Sequence, residues 1–264
     1  MVGIMLLLCS IMPFMACTST EDEPYKPETE QPSDDPNNNE EEDNDTTPVY
    51  GHLTTANTVS DVVNHEAFNG FGRFILPAER SYNDNMTLQN VASMLPYHNY
   101  ITGERAVETI NTMIDYVHDG NTLFYDIYSD ADKQADSRKN NTGVFFFRGE
   151  PGKPFAIVCP GGGFSYVGAI HEGFPLAIAL SKMGYNAFSI QYRTGGAQVA
   201  CEDLAGAIDF IMRHAEELQV STDDYSLWGG SAGARMAAYL GSYGTQGFIS
   251  AVHPRPATVV MGYT

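Results

Sequence analysis

The sequence predicts an α/β fold in which a mostly parallel β-sheet carries helices on both of its faces. Short apolar runs alternate with segments of helical spacing between residues 122 and 264, and this alternation is typical of parallel sheets covered on both sides. Two glycine-rich loops, Pro160–Phe164 and Gly229–Gly233, each follow an apolar run directly. Because ligands bind beyond the carboxyl ends of parallel strands, both loops are expected at one functional edge of the sheet.

The predicted elements follow one another in a regular order. A helical lead-in spans residues 51–121, with helices predicted at Thr87–Met94 and Glu104–Val117, where apolar residues recur at helical spacing. Its aromatic residues either line a cleft or pack, and we favour packing. The strands predicted in residues 122–264 are Thr122–Tyr128, Gly143–Arg148, Pro154–Cys159, Asn186–Arg193, Asp224–Trp228 and Ala257–Tyr263. The helices predicted between them are Glu172–Met183, Cys201–Leu218 and Ala234–Leu240.

The chain begins with an apolar segment, Met1–Ala16. This segment is shorter than the ~20 residues that a membrane-spanning helix needs, and it fits the apolar part of a secretory signal peptide. Phe14–Cys17 resembles a bacterial lipobox, in which a small residue precedes the cysteine that receives the lipid. Cys17 is therefore the predicted lipidation site; the alternative is an ordinary signal peptide with a chance cysteine. We expect a secreted protein held by a lipid anchor at the membrane of the bacterial cell envelope, with the outer-membrane surface as one location.

Residues 17–50 are predicted to form an acidic, disordered tether. They include 12 acidic residues and one basic residue, a net charge of −11 out of −19 for the whole chain. Low hydrophobicity with high net charge leaves too little apolar surface to form a core. Thr18–Glu23 also resembles the acidic export signal of surface lipoproteins in the Bacteroidetes. The acidic balance argues against nucleic acid as a partner, since phosphate binding needs clusters of Lys and Arg.

A G-x-S-x-G pentapeptide, Gly229–Gly233, lies between a predicted strand and a predicted helix. Strand, tight turn and helix form the context in which this pattern makes a nucleophile elbow. The turn is strained, and its glycines allow neighbouring backbone to pass close to the serine. Ser231 is therefore the predicted catalytic nucleophile, which needs a base to accept its proton. Gly229 and Gly233 are the predicted elbow glycines.

The glycine run Gly161–Gly163 also has a chemical interpretation. Acyl transfer places negative charge on the former carbonyl oxygen, and backbone N–H groups aimed at that oxygen stabilise it. Gly162 and Gly163 are predicted to supply one or two of these oxyanion-hole donors. Ala232, at the positive end of the helix after Ser231, is predicted to supply another. A phosphate-binding loop is the alternative, but no Lys follows the glycines as it does in nucleotide-binding loops.

Two motifs together resemble the α/β-hydrolase superfamily. Ile157–Phe164 and Trp228–Ala234 are most similar to acetyl-esterase and feruloyl-esterase-like serine hydrolases with an HGGG-type oxyanion loop, although Pro160 stands where that family often has His. The resemblance implies hydrolysis of small acyl esters, such as acetyl or feruloyl groups on a sugar, through an acyl-enzyme at Ser231. It implies no cofactor and no metal. Phe164 and His171 are assigned to a candidate substrate cleft; His171 instead could cap the following helix.

The family places the triad acid and then the histidine after the nucleophile. Between Ser231 and Thr264 the sequence has no Asp or Glu, and its only histidine there is His253. His253 precedes the final strand and is expected to be a surface loop residue rather than the base. In the family, two further strands precede the loops that carry the acid and the histidine. Residues 122–264 are therefore expected to form a truncated α/β-hydrolase domain that lacks its last two strands, and this chain by itself is expected to be inactive.

Two other functions remain open at this point. One is a surface lipoprotein that binds glycan through a degenerate hydrolase fold. The other is a peptidase of the prolyl-oligopeptidase type, which shares the elbow but usually adds a propeller domain for which this chain has no room. A zinc-protease site is not predicted, because the pair His65-Glu66 lacks a second histidine four residues after the first.

Overall fold

A mixed β-sheet organises the carboxyl-terminal part of the chain in this computed structural model, which describes residues 51–77, 79–80, 82–95 and 101–264. Its strands are β1 Phe124–Tyr125, β2 Gly143–Phe147, β3 Pro154–Cys159, β4 Asn186–Gln191, β5 Ser221–Gly230 and β6 Thr258–Tyr263. They lie in the spatial order β1-β2-β4-β3-β5-β6. β1 and β2 are antiparallel, β2 and β4 are antiparallel, and β4, β3, β5 and β6 run parallel to one another.

The helices cover both faces of this sheet. They are α1 Val59–Val63, α2 Gly103–His118, α3 Asp130–Ala135, α4 Phe174–Lys182, α5 Ala197–Arg213, α6 Ala215–Leu218 and α7 Ala232–Tyr243. Shorter turns of 3₁₀ or π type are Glu66–Phe68, Gly72–Phe74, Leu88–Met94, Ser137–Asn141, Ala169–Gly173 and Thr245–Gly247. The chain moves from β3 to β4 in one direction and from β4 back past β3 to β5 in the other. Right-handed crossovers therefore place α4 on one face and α5 with α7 on the other. The predicted α/β architecture is confirmed.

The central strands form because they are apolar over their whole length. Every residue of β2 is buried, and β3 is buried from Phe155 onward, as expected for strands covered on both faces. Phe146 of β2 stacks on Phe188 of β4 with a centroid separation of 4.3 Å. Such aromatic pairs add to the free energy gained by burial alone.

Three predicted strands end earlier than expected. The strand predicted at Gly143–Arg148 ends one residue earlier, at Phe147, and the other two are followed by side-chain contacts outside the sheet. The predicted strand Thr122–Tyr128 pairs with β2 only at Phe124–Tyr125; beyond this pair, the Tyr128 hydroxyl donates to Asp203 of α5 at 2.7 Å. The predicted strand Asn186–Arg193 ends at Gln191. The Arg193 amide donates to the buried Asp203 carboxylate at 2.6 Å instead of continuing the sheet.

All five predicted helices differ in type or bounds. The helix predicted at Glu104–Val117 is α2, Gly103–His118, and the helix predicted at Ala234–Leu240 is α7, Ala232–Tyr243; the other three differ more. Thr87–Met94 is a 3₁₀ helix over Leu88–Met94. The helix predicted at Cys201–Leu218 begins four residues earlier, at Ala197, and is interrupted at His214, whose ψ of 16° departs from helical geometry. The helix predicted from Glu172 begins at Phe174, after the π turn Ala169–Gly173.

The lead-in packs against the sheet. The described residues fall in one structural unit. Phe71 of the lead-in contacts Phe124 of β1 at 5.1 Å and Phe145 of β2 at 5.8 Å, measured between ring centroids. The Tyr116 hydroxyl of α2 accepts a hydrogen bond from the Arg148 amide, directly after β2, at 3.0 Å. These contacts bury aromatic side chains on the outer strands of the sheet.

Three predictions concern residues outside the described ranges. They are the signal segment Met1–Ala16, the acidic tether of residues 17–50 and the lipidation of Cys17. Within the ranges that are described, no helix has the length and apolar character needed to span a bilayer.

Candidate active site

Ser231 occupies a strained turn between β5 and α7. β5 ends at Gly230 and α7 begins at Ala232. Ser231 itself has φ 52° and ψ −120°, a conformation that costs a non-glycine residue about 1–3 kcal/mol and that clusters at active sites. The turn is held by the Ser231 amide, which donates to the Tyr263 carbonyl at 2.7 Å. The sequence-predicted elbow is therefore present as a strand, a strained serine and a helix.

The two elbow glycines lie where backbone segments pass very close together. A Cβ atom at Gly233 would lie 1.8 Å from the Cys159 carbonyl oxygen, and one at Gly229 would lie 2.4 Å from the Gly233 carbonyl carbon. Real Cβ atoms do not approach other atoms this closely, so any other side chain would displace α7 from β3 and β5. Glycine at positions 229 and 233 thus seats the helix directly behind Ser231.

The loop after β3 is folded back on itself by three consecutive residues with positive φ. Gly162, Gly163 and Phe164 have φ values of 133°, 62° and 59°. The Gly162 carbonyl accepts hydrogen bonds from the amides of Ser165 at 3.0 Å and Tyr166 at 3.2 Å. A Cβ atom at Gly162 would lie 2.0 Å from the Tyr166 carbonyl oxygen, which explains why glycine is required there.

This loop and the elbow contact each other at the carboxyl edge of the sheet. Cys159 at the end of β3 pairs with Gly229 near the end of β5. A Cβ atom at Gly161 would lie 3.0 Å from the Ser231 Cβ and 3.0 Å from the Gly230 carbonyl oxygen. The glycine run and the nucleophile are therefore neighbours, as the motif order predicted.

The remaining predicted site residues lie around this junction. Ala232 is the first residue of α7, where helical amides have no acceptor within the helix. Phe164 is half-buried, and its carbonyl accepts a hydrogen bond from the Gly195 amide at 2.8 Å. His171 is 5% exposed, and its Nε2 lies 3.5 Å from Glu172 Oε1. His171 also lines a cavity of about 340 Å³ whose other walls include Glu172, Leu176, Trp228, Gly230, Val260 and Tyr263.

Sequence reasoning gave Glu172 no role, yet its carboxylate lies at the centre of this region. The side chain is 9% exposed. Its Oε2 accepts a hydrogen bond from the Gly161 amide at 2.7 Å, and its Oε1 accepts one from the Tyr263 hydroxyl at 2.6 Å. Burial alone would raise the pKa of Glu172, but the neighbouring His171 together with the hydrogen bonds from Tyr263 and the Gly161 amide holds it below its usual range. Glu172 is therefore a buried, ionised carboxylate next to the candidate site.

The structure separates His253 from Ser231. His253 precedes β6, whose first residue, Thr258, pairs with Ser226, whereas Tyr263 at the other end of β6 pairs with Gly230. The parallel strands therefore place His253 near the amino edge of the sheet and Ser231 at the carboxyl edge. His253 Nε2 lies 2.8 Å from Asp209 Oδ1 of α5. The expected surface loop histidine is thus a half-buried residue paired with a carboxylate.

In the part of the chain that the structure describes, no group of three or more His, Cys, Asp or Glu side chains is arranged as a metal site.

The BD-FAE family model matches residues 148–254, less than half of the chain, and that span includes both the glycine loop and the elbow. No curated protein matches the chain.

Several solved structures are similar over part of the chain, and each comparison covers 46% of the chain. MGS-M1, an α/β-hydrolase enzyme from a Medee basin deep-sea metagenome library, is 23% identical over 50% of its length, with a TM-score of 0.40. A lipase/esterase from Lactobacillus plantarum is 23% identical over 55% of its length (TM-score 0.41), and a sugar hydrolase from Lactococcus lactis is 25% identical over 48% (TM-score 0.38). The chain spans about half the length of these structures. The strand order β1-β2-β4-β3-β5-β6, the parallel central strands and the serine elbow between β5 and α7 are those of an α/β-hydrolase fold.

Proposed function

We propose that this protein is a serine carboxylesterase that hydrolyses small acyl esters, with acetylated or feruloylated saccharides as its substrate class. The observation that carries the proposal is the strained conformation of Ser231, at φ 52° and ψ −120°, in direct contact with the glycine loop. A fold maintains such strain where the geometry has a use. We propose that here the strain serves to present the Ser231 hydroxyl to the backbone amides of the glycine loop, as acyl transfer requires.

The proposed reaction has two halves. Ser231 Oγ attacks the ester carbonyl carbon and loses its proton to a base, and a tetrahedral oxyanion forms. The amides of Gly162, Gly163 and Ala232 are proposed to donate to this oxyanion; in one measured system the loss of one such donor cost about 3–4 kcal/mol. The alcohol takes up a proton and leaves an acyl group on Ser231, which water then removes. The proposal assigns the nucleophile and the oxyanion donors to this chain and assigns none of its residues as the base.

The choice of ester substrates is supported by the motif resemblance rather than by distances. Ile157–Phe164 and Trp228–Ala234 resemble esterases that act on acylated sugars, and the BD-FAE match includes both segments. Gly163 is exposed, and the nearest atom to a Cβ built on it is the Ser165 hydroxyl oxygen at 3.7 Å. Open space beside a donor amide is what an incoming acyl group needs.

The amino-terminal segment supports a proposed location. Phe14–Cys17 resembles a lipobox, and residues 17–50 have a net charge of −11. We propose that Cys17 carries a lipid anchor and that the acidic tether holds the hydrolase domain away from the membrane of the cell envelope. Such a placement would suit an enzyme that acts on extracellular polysaccharide.

The test compares classes of substrate on the protein and on its Ser231→Ala variant. p-Nitrophenyl acetate, p-nitrophenyl ferulate and acetylated xylo-oligosaccharide represent the proposed esters, and a prolyl p-nitroanilide represents a peptidase substrate. Since no residue of this chain is assigned as the base, turnover is expected to be negligible: release of alcohol from the esters should depend on Ser231 and should not exceed about one alcohol per Ser231, with none from the anilide and none from the variant. Release that survives in Ser231→Ala would contradict the proposal.

Other outcomes of this experiment favour the alternatives. Release of p-nitroaniline that depends on Ser231 would favour a peptidase. Saturable binding of unacylated xylan, unchanged in Ser231→Ala and without release from any ester, would favour a glycan-binding protein with a degenerate hydrolase fold.

A further inference from the structure

A ring of hydrogen bonds joins the nucleophile to the glycine loop. The Ser231 amide donates to the Tyr263 carbonyl oxygen at 2.7 Å. The Tyr263 hydroxyl donates to Glu172 Oε1 at 2.6 Å. The Gly161 amide donates to Glu172 Oε2 at 2.7 Å. Gly161 in turn lies against Ser231, so three hydrogen bonds and one close backbone contact form a closed circuit.

The circuit crosses three separate parts of the chain. Gly161 belongs to the loop after β3, Glu172 to the turn before α4, and Tyr263 to the end of β6. The Glu172–Tyr263 hydrogen bond spans 91 residues of sequence. Glu172 uses both of its carboxylate oxygens. Oε2 accepts a hydrogen bond from the loop after β3, and Oε1 accepts one from Tyr263 of β6, the residue whose carbonyl accepts the Ser231 amide. Because the two oxygens belong to one rigid carboxylate group, Glu172 holds the glycine loop and the Ser231 elbow at a set distance from each other.

An ionised carboxylate is well suited to this task. It only accepts hydrogen bonds and has a lone pair on each oxygen for a donor. Hydrogen bonds to an ionised group are shorter and about twice as strong as those between neutral groups, and the two distances here are short. Gly161 and Gly230 also leave room for the carboxylate, since a Cβ atom on either would lie 2.8 Å or 3.1 Å from Glu172 Oε2.

We propose that Glu172 is a positioning residue that sets the distance between Ser231 and the oxyanion donors of the glycine loop. This inference rests on the proposed esterase function. Glu172 does not touch the reacting atoms in this account; it acts through the Gly161 backbone, next to the donors Gly162 and Gly163. A shift of the loop by about 1 Å would move those donors away from the developing oxyanion, and misplacement on this scale reduces rates by roughly 100-fold.

The main experiment measures acylation of Ser231 by p-nitrophenyl acetate, recorded as the first equivalent of p-nitrophenol. Glu172→Gln keeps the size of the side chain but puts an NH₂ group where Tyr263 donates or where Gly161 donates. We expect the limiting acylation rate constant to fall about 10- to 100-fold, while the ester concentration that gives half of that rate changes little. The matched control is Glu150→Gln, an exposed carboxylate at the start of the β2–β3 turn, for which no change is expected.

A second variant tests the circuit itself. Tyr263→Phe removes one hydrogen bond but leaves the Gly161–Glu172 bond, so a smaller loss of rate is expected. The double variant should be no slower than Glu172→Gln, because Tyr263 acts through Glu172 and the two effects are then not additive. Additive losses would contradict the circuit. Tyr239→Phe, at an exposed tyrosine of α7, is the control.

An activity-independent readout separates this inference from the proposed function. In the ¹⁵N-labelled chain, the amide proton of Gly161 is expected downfield because it donates to a carboxylate. Glu172→Gln should move that resonance and those of Gly162, Gly163 and Ser231, whereas Glu150→Gln should move none of them. Unchanged resonances, or wild-type acylation by Glu172→Gln while Ser231→Ala is inert, would overturn the inference. Shifted resonances in a chain whose Ser231 is never acylated would support the hydrogen-bonded circuit and would reject the esterase function.

Discussion

At the scale of single residues, the site depends on a few unusual backbone conformations. Ser231 and Phe164 both have positive φ without being glycine. The strain at Ser231 could be predicted from the sequence, because Gly229 and Gly233 flank it in a known pattern. Glu172 could not be predicted, since a glutamate before a helix usually stays in solvent near the helix amides. The only available signal was an acidic residue within the apolar stretch after the glycine run, and its partner Tyr263 is distant in sequence.

The strain at Ser231 leads to a stability prediction. Glycine adopts positive φ without a Cβ clash, whereas alanine keeps the clash, and both variants lack the hydroxyl. Ser231→Gly should therefore be more stable than Ser231→Ala, by about 1 kcal/mol in the free energy of unfolding. Urea denaturation of the two variants measures the difference. An alanine variant as stable as the glycine variant would show that the turn is not strained.

At the scale of elements, the close packing of α7 against β3 and β5 positions Ser231 at the edge of the sheet. Strand alternation and the G-x-S-x-G pattern predicted both β5 and α7. The bounds were less predictable, because contacts from distant residues set them. Tyr128, beyond the end of β1, bonds Asp203 of α5, and the π turn Ala169–Gly173 precedes α4 and holds the largely buried Glu172.

A substitution behind the elbow tests this seating. Gly233→Ala would place a methyl group against the Cys159 carbonyl, so α7 must shift, at a cost of about 1–3 kcal/mol or more in the free energy of unfolding. Gly206→Ala in α5 is the control, because the nearest atoms to its Cβ would belong to the Tyr128 side chain, at 3.3 Å or more. Urea denaturation of both variants gives the comparison. An equal loss of unfolding free energy in the two variants would mean that the backbone around Gly233 and Cys159 can shift to accommodate a Cβ atom.

The hydrogen-bonded Glu172 carboxylate predicts a pH dependence of the free energy of unfolding. Hydrogen bonds hold the pKa of Glu172 below its usual range despite burial. A carboxyl group whose folded pKa is depressed adds stability above its unfolded pKa of about 4.3 and loses that contribution as pH falls through the folded pKa. The difference in unfolding free energy between wild type and Glu172→Gln should therefore shrink as the pH falls through the acid range.

Denaturation with urea at a series of pH values measures this difference. A gap between the two proteins that stays constant down to strongly acidic pH would contradict an ionised Glu172. The Glu150→Gln variant provides the control for general effects of removing one negative charge.

At the scale of the whole molecule, the sheet order brings two loops far apart in sequence to one edge. Because β3 and β5 are adjacent parallel strands, the loop at 160–164 that follows β3 lies beside the elbow at 229–233 that follows β5. Sequence reasoning predicted this because apolar strands and helices alternate and because parallel strands share a carboxyl edge. The packing of the lead-in on β1 and β2 depends on ring contacts such as Phe71 with Phe145, which spacing alone does not specify.

The proposed membrane anchor is also a prediction for the whole molecule. Cys17→Ala should prevent lipid attachment, so the protein should move from the membrane fraction to the soluble fraction of bacterial cells. Stable anchoring by covalent lipid scales with the buried chain length. Detergent-phase partitioning and metabolic labelling with a fatty-acid analogue measure the change. A Cys17→Ala variant that still partitions with membranes would contradict the anchor.

The central claim is that Ser231 becomes acylated. The most direct measurement is mass spectrometry of the protein after incubation with p-nitrophenyl acetate, acid quenching and proteolysis. The account predicts one acetyl group on the peptide that contains Ser231, absent from Ser231→Ala and retained in Glu150→Gln. An acetyl group found only on other residues, or an unmodified Ser231 under conditions that acylate a reference serine esterase, would contradict it.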